Sequence, residues 1–137
     1  MRSEQTLLVA EAAITHVHDL ESQGVLRYEG PATFTPGDAA TAASQGVPQQ
    51  VAGYATATSY GYKVLLRNDY NNVFNLINLK PTLRWEQDLH GISPTPITNF
   101  VAGRRQLTAG LGFTYRGNVS GDVAYTRFIG AGQQNLL

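Results

Sequence analysis

No cysteine occurs among the 137 residues, which removes disulfide staples, thiol catalysis and cysteine-ligated zinc together. Surplus charge is missing as well: ten Lys and Arg balance ten Asp and Glu, and charged residues make up only 15% of the chain. Without a basic excess, the sequence gives no reason to expect nucleic acid or an anionic lipid surface as a partner. No apolar run approaches the roughly 20 residues of a membrane helix. The short apolar run in MRSEQTLLVAEAA breaks at Glu11 rather than at a cleavage site, so the sequence as written shows no export signal. Length allows one domain.

What is present is alternation. In KPTLRWEQDLHG, residues 80–91, Lys80, Thr82, Arg84, Glu86, Asp88 and His90 fall on one parity and Pro81, Leu83, Trp85, Gln87 and Leu89 on the other. Side chains of a strand point alternately to opposite faces, so this stretch separates a wet side from a dry one. The same test finds four more strands. Tyr60, Tyr62, Val64 and Leu66 oppose Lys63 and Arg67, in a run extended back through Thr58, Thr56 and Tyr54. Leu107, Ala109, Leu111, Phe113 and Tyr115 oppose small and polar residues. Val119, Val123 and Tyr125 oppose Ser120, Asp122 and Thr126, and Leu8, Ala10, Ala12 and Ile14 oppose Glu11.

The connections alternate too. Strands two and three are expected to join through NDYNNV (68–73), and strands four and five through Gly117–Asn118, both tight antiparallel turns. The other two connections, about 18–53 and 90–103, are long and rich in Pro, Gly, Ser, Thr and Ala. Loops beyond about 12–15 residues are unusual in a compact soluble domain. Short turns at one end, long loops at the other and an alternation through 73–89 well beyond the usual soluble strand of about 5–6 residues are the layout of an outer-membrane barrel.

The sequence therefore predicts an all-β, antiparallel up-and-down meander of about five long strands, forming a segment of a transmembrane β-barrel over 1–137. Glu11, Lys63, Arg67, Lys80, Arg84, Glu86, Asp88 and Asp122 are expected to line the lumen. Leu83, Trp85, Leu107, Leu111, Phe113, Tyr115 and Val123 are expected to face lipid, with Trp85, Tyr54 and Tyr115 near the headgroup boundaries. Five strands fall short of the minimum of about eight for a closed membrane barrel. The remaining strands would come from further polypeptide or from other copies of the chain.

The segment NFVAGRRQLTAGLGFTYRGNVSGDVAYTRFIGAGQQNLL, with the preceding WEQDLHGISP, resembles the C-terminal part of a proteobacterial outer-membrane protein family catalogued as a domain of unknown function. The patterns carrying the resemblance are NF-x-x-GR, at Asn99–Arg104, and Y-T-x-F-x-GAG-x-x-NLL, beginning at Tyr125. The resemblance implies a large barrel in the outer membrane of a Gram-negative bacterium. It also implies gene neighbours that encode a periplasmic lipoprotein-like partner and exporters of the resistance-nodulation-division class. Members begin with a signal peptide and end with one more strand after the GAG loop, so this chain reads as an internal or truncated piece.

Site chemistry is sparse. His16 and His18 share a strand face, but no third metal ligand can be nominated and His90 has no motif. Glu86 and Asp88 sit in one row as an acid/base pair would; Lys80 and Arg84 in the same row favour a mutually neutralising ladder. Ser93, Ser120 and the histidines match no nucleophile arrangement. GLGF and GAG lack the following helix of a phosphate loop. Arg104 and Arg105 suit lipopolysaccharide phosphates at an outer rim, or simply solvated loop charges. The expectation is a non-enzymatic component passing a small or hydrophobic solute, without metal or cofactor. An outer-membrane enzyme and a soluble β-sandwich binding module are the alternatives.

Overall fold

The computed structural model describes residues 3–31, 33–73, 76–97 and 99–132. Its strands are β1 (Gln5–His16), β2 (Thr58–Val73), β3 (Ile77–His90), β4 (Arg105–Tyr115) and β5 (Val119–Ile129); one short helix, α1 (Ala39–Gln45), lies between β1 and β2. The strands form one five-stranded sheet in the order β1-β2-β3-β4-β5, an up-and-down meander with β1 and β5 at its edges. They are 11 to 16 residues long, enough to meet the roughly 9–11 that a tilted membrane strand requires.

Register assigns the faces. β3 pairs β4 so that Trp85 lies opposite Leu107, Leu83 opposite Ala109, Pro81 opposite Leu111, Leu79 opposite Phe113 and Ile77 opposite Tyr115. β4 pairs β5 so that Leu107 meets Arg127, Ala109 Tyr125, Leu111 Val123, Phe113 Gly121 and Tyr115 Val119. Residues directly opposite share a face, so one side of β3–β5 carries four wholly apolar rows between the Trp85–Leu107–Arg127 row and the turn. Phe113 lies over Gly121, where a Cβ would stand 3.0 Å from its ring.

The turns fix this register. Between β4 and β5, Asn118 N–H donates to Tyr115 O at 3.1 Å, with Arg116 at φ 51° and Gly117 at φ 73°. Two successive positive φ values match the right-handed twist of the flanking strands, and glycine adopts one without strain.

Between β2 and β3 the structure corrects the expected boundary, for NDYNNV is strand through Val73 rather than turn. Its polar side chains bond across to β1 and the residue preceding it: Thr6 donates to Asn68 Oδ1 at 2.7 Å, and Asn71 donates to Glu4 at 2.6 Å. Cross-strand partners here outweigh the turn preference of Asn and Asp.

The chain divides into two compact units. The first comprises Met1–Ala12, Tyr62–Gln87 and Arg105–Ile129, and the second Ala13–Gly61, Asp88–Arg104 and Gly130–Leu137. In the first, Val73 is the sole buried apolar residue among those described, and Leu83, Leu111, Phe113, Tyr115 and Val123 are between 38% and 67% exposed. The described apolar core otherwise belongs to the second: Ala42, Tyr54, Ala55, Ile92, Phe100 and Val101.

Helix α1 belongs to the second unit and departs from the expected plain loop. Asp38 accepts from Thr41 N–H at 2.7 Å as the N-cap, and Gly46, at φ 68°, closes the C-terminus. Tyr54 also moves from strand to loop. It is 4% exposed, its hydroxyl donates to Gln50 O at 2.9 Å, and the Arg27 guanidinium lies 5.4 Å from its ring centre.

Candidate functional site

The chemistry-bearing residues gather on the polar face. Register aligns Lys80 with Gly112 and Asp122, Thr82 with Gly110 and Ala124, Arg84 with Thr108 and Thr126, and Glu86 with Gln106 and Phe128. Lys80, Arg84, Glu86 and Asp122 thus occupy one side, and the seven apolar residues singled out in the sequence occupy the other. Beyond Gln106 the polar face of β4 carries only Thr108, Gly110, Gly112 and Thr114, with the two glycines at its centre. A Cβ at either would meet only ordinary contacts, at 3.6 Å or more.

Glu86 is the hub of the ladder. It forms an ion pair with Arg84 through Oε1 and another with Lys63 of β2 through Oε2 at 3.8 Å. Farther along β2, Arg67 pairs with Asp69 at 3.2 Å. Lys63 and Arg84 keep 54% and 47% of their side chains exposed, so each pair contributes about 0–1 kcal/mol to stability. Their consequence is a field rather than a scaffold: both signs occur along the row within one Debye length of about 8 Å. Glu11 is exposed on β1.

Asp88 has a different job from the rest of its row. Its Oδ2 accepts from Val101 N–H at 2.9 Å and from Arg104 Nε at 2.8 Å, and Arg104 Nη2 donates to Asn99 O at 2.9 Å. Side-chain exposures of 12% and 18% make this a largely desolvated pair. Arg104 is therefore already engaged, whereas Arg105 is exposed at the start of β4.

A second anchor joins Ser59 and Ser93, whose hydroxyls lie 2.9 Å apart. Both are at most 1% exposed, and Ser93 Oγ also accepts from Phe100 N–H at 3.1 Å. Neither base nor acid stands among these partners. Sequence reading missed this anchor, since nothing in the spacing of two serines marks them as a pair.

The two patterns that carried the family resemblance meet here. Arg104 of NF-x-x-GR holds Asp88, and the carbonyl of Gly103 lies so near Gly130 of the GAG pattern that a Cβ there would stand 2.2 Å from it. Gly130 also has φ 80°, so space and backbone conformation both call for glycine.

The remaining candidates disperse. His16 and His18 rings meet edge to face at 4.7 Å, but His16 Nδ1 is bonded to Thr58 Oγ1 at 2.9 Å. Among the described residues no group of three or more His, Asp or Glu is disposed to hold a metal. His90 stacks on Tyr60 at 5.4 Å, and Ser120 is exposed on β5. On the apolar face Trp85 Nε1 donates to Tyr62 Oη at 3.1 Å, which in turn donates to Gln87 Oε1 at 3.0 Å. A concavity of about 770 Å³ lies in the second unit, lined by Gln23, Arg27, Glu29, Phe34 and Asp38 among others.

Compared with known proteins, the chain matches one family model, described as "Protein of unknown function (DUF1302)", over residues 1–137. No curated protein and no solved structure matches it.

Proposed function

Since the chain belongs to the DUF1302 family over its whole length, a family defined without an activity, we propose from the geometry that it is part of an outer-membrane barrel wall. Its polar face lines a water-filled path for a small or hydrophobic solute. The observation that carries this reading is the bare apolar face of β3–β5: four rows without a charge. Those rows end at Trp85, Arg105 and Arg127 on one side and at Tyr115 and Arg116 on the other.

From Leu107 to Tyr115 the strand rises about 27 Å, or roughly 20 Å once tilted by about 40°, near the apolar band of about 25 Å in such barrels. Aromatic rings with polar handles suit both boundaries. Trp85 and Tyr62 share a hydrogen bond at one, and at the other the Arg116 guanidinium lies 5.3 Å from the Tyr115 ring centre. An exposed apolar surface of this kind in water would be an aggregation hazard. Sheet edges at β1 and β5 need pairing in a membrane, which further strands or other copies would supply.

The absence of native cysteine makes the test direct. Single Leu83→Cys, Leu111→Cys and Val123→Cys variants of the assembled protein should react with lipid-soluble thiol reagents. Lys63→Cys, Arg84→Cys and Glu86→Cys variants should react with water-soluble ones. Reaction of all six with water-soluble reagents, in a protein that partitions into the aqueous phase without detergent, would return the fold to the soluble-sandwich alternative.

A further inference from the structure

We propose that Arg105 and Arg127 form a two-armed site for the phosphates of lipopolysaccharide on the apolar side of β4 and β5. The proposal rests on the reading of that side as the lipid-facing one.

Register brings the two arginines together. Arg105 lies opposite Ile129 and Leu107 opposite Arg127, so they are diagonal neighbours on adjacent strands. Both share the parity of Leu111 and Val123, and hence their face. Diagonal positions of this kind stand about 7–8 Å apart, within reach of long side chains. Two guanidinium groups at that separation can close on one phosphate, and the planar fork of each offers paired N–H donors to its oxygens.

What that face lacks is an acid. Across the paired residues of β3, β4 and β5, Arg105 and Arg127 are the only charges on the apolar side, and no carboxylate accompanies them. Both are exposed, and neither enters an ion pair among the described residues. The polar side is provided for differently: Lys80 has Asp122 in its row across Gly112, and Arg84 has Glu86. Neighbouring like charges on a sheet repel, and an anion from outside the chain would remove that cost.

Position along the strands points to the anion. Arg105 opens β4 directly after the long 91–104 connection, and Arg127 stands two residues before the end of β5. Long loops of an outer-membrane barrel lie outside the cell, which puts the pair at the outer leaflet, where the lipid is a saccharolipid with phosphates on its sugar head. Trp85 shares the row of Arg127, as an aromatic ring at headgroup level would. Arg104, expected from the sequence to share this task with Arg105, is instead bonded to Asp88 and to Asn99 O.

Lipid binding to the assembled barrel in nonionic detergent, read by native mass spectrometry, tests this. The probes are diphosphoryl lipid A, the same lipid stripped of both phosphates, and phosphatidylglycerol. The parent should prefer diphosphoryl lipid A to the other two by about tenfold or more, and Arg105→Gln and Arg127→Gln should each lose about tenfold in affinity for it, as expected for one charged hydrogen-bond partner. Thermal unfolding should stay parental in both, since the positions are exposed. Arg116→Gln, at the opposite boundary, should bind lipid A as the parent does.

Equal retention of the dephosphorylated lipid would mean apolar adhesion alone and overturn the proposal. So would parental binding in both glutamine variants, which would make an acid on the strand paired with β5 the partner of the arginines. Equal retention of phosphatidylglycerol would replace the saccharolipid with any anionic lipid, and an equal loss in Arg116→Gln would move the contact to the other boundary; either overturns the site as proposed. The lipid-facing reading fails separately, through Leu111→Cys and Val123→Cys reacting only with water-soluble reagents. Where those cysteines react with lipid-soluble reagents, a negative lipid A result overturns this site alone.

Discussion

At the scale of single residues, a carboxylate does different work according to what its neighbours donate. Glu86 faces two cations that stay half exposed, so it shapes a field; Asp88, two positions on, receives a backbone N–H and a guanidinium and becomes an anchor. Asp38 is a third case. The Thr41 backbone N–H, with help from its hydroxyl, holds the Asp38 carboxyl below its ordinary value. A carboxyl whose folded pKa is depressed stabilises the fold above its unfolded value, about 3.9, and loses that contribution as pH falls through the lower folded value. The capped turn of α1 should therefore loosen only in strong acid. Amide exchange at Thr41 followed against pH should rise there in the parent. Asp38→Asn, an equally good N-cap without a titrating proton, should show no such rise, and a matching rise in that variant would assign the effect elsewhere.

At the scale of elements, β3, β4 and β5 keep a period of two from the Leu83–Ala109–Tyr125 row to the Ile77–Tyr115–Val119 row, so a one-residue slip would carry those apolar rows to the charged side. The central apolar row is Pro81–Leu111–Val123. Leu111→Arg should cost about 2–4 kcal/mol if that row lies near a bilayer midplane. The same change at a site 41% exposed to water should stay within about 0.5 kcal/mol. Equilibrium unfolding in lipid vesicles separates the two, and a cost below about 1 kcal/mol would sink the lipid assignment. Neighbouring Gly110 and Gly112 act in the opposite sense, because their bare Cα atoms leave room over the polar face where a strand of large side chains would fill it.

At the scale of the whole molecule, the proposed path is lined by balanced charge, so selectivity should rest on which member of the ladder remains. Glu86→Gln removes the hub and leaves Lys63 and Arg84 unopposed; the barrel should then favour anions, while Arg84→Gln should favour cations. Thermal unfolding should change little in either, since exposed pairs contribute only about 0–1 kcal/mol. Reversal potentials in a salt gradient measure the shift, and two variants indistinguishable from the parent would mean that ions do not travel along this face. How much of this was legible in the sequence follows from the range of the interactions involved. Parity along KPTLRWEQDLHG determined which residues share a side, because alternation is a property of one strand, and the meander and its short turn at Gly117–Asn118 are equally local. Capping of α1 was legible in principle from Asp38 and Gly46 around AATAASQ, but the surrounding Pro and Gly masked it. NDYNNV was misread because its side chains are satisfied by Glu4 and Thr6, residues distant in the chain. Only the tertiary structure decided that Ser59 and Ser93 meet and that Asp88 leaves the ladder to hold Val101 and Arg104. Each of those depends on bringing residues from separate connections to within hydrogen-bond distance, and a sequence pattern of period two carries no record of what lies across from it.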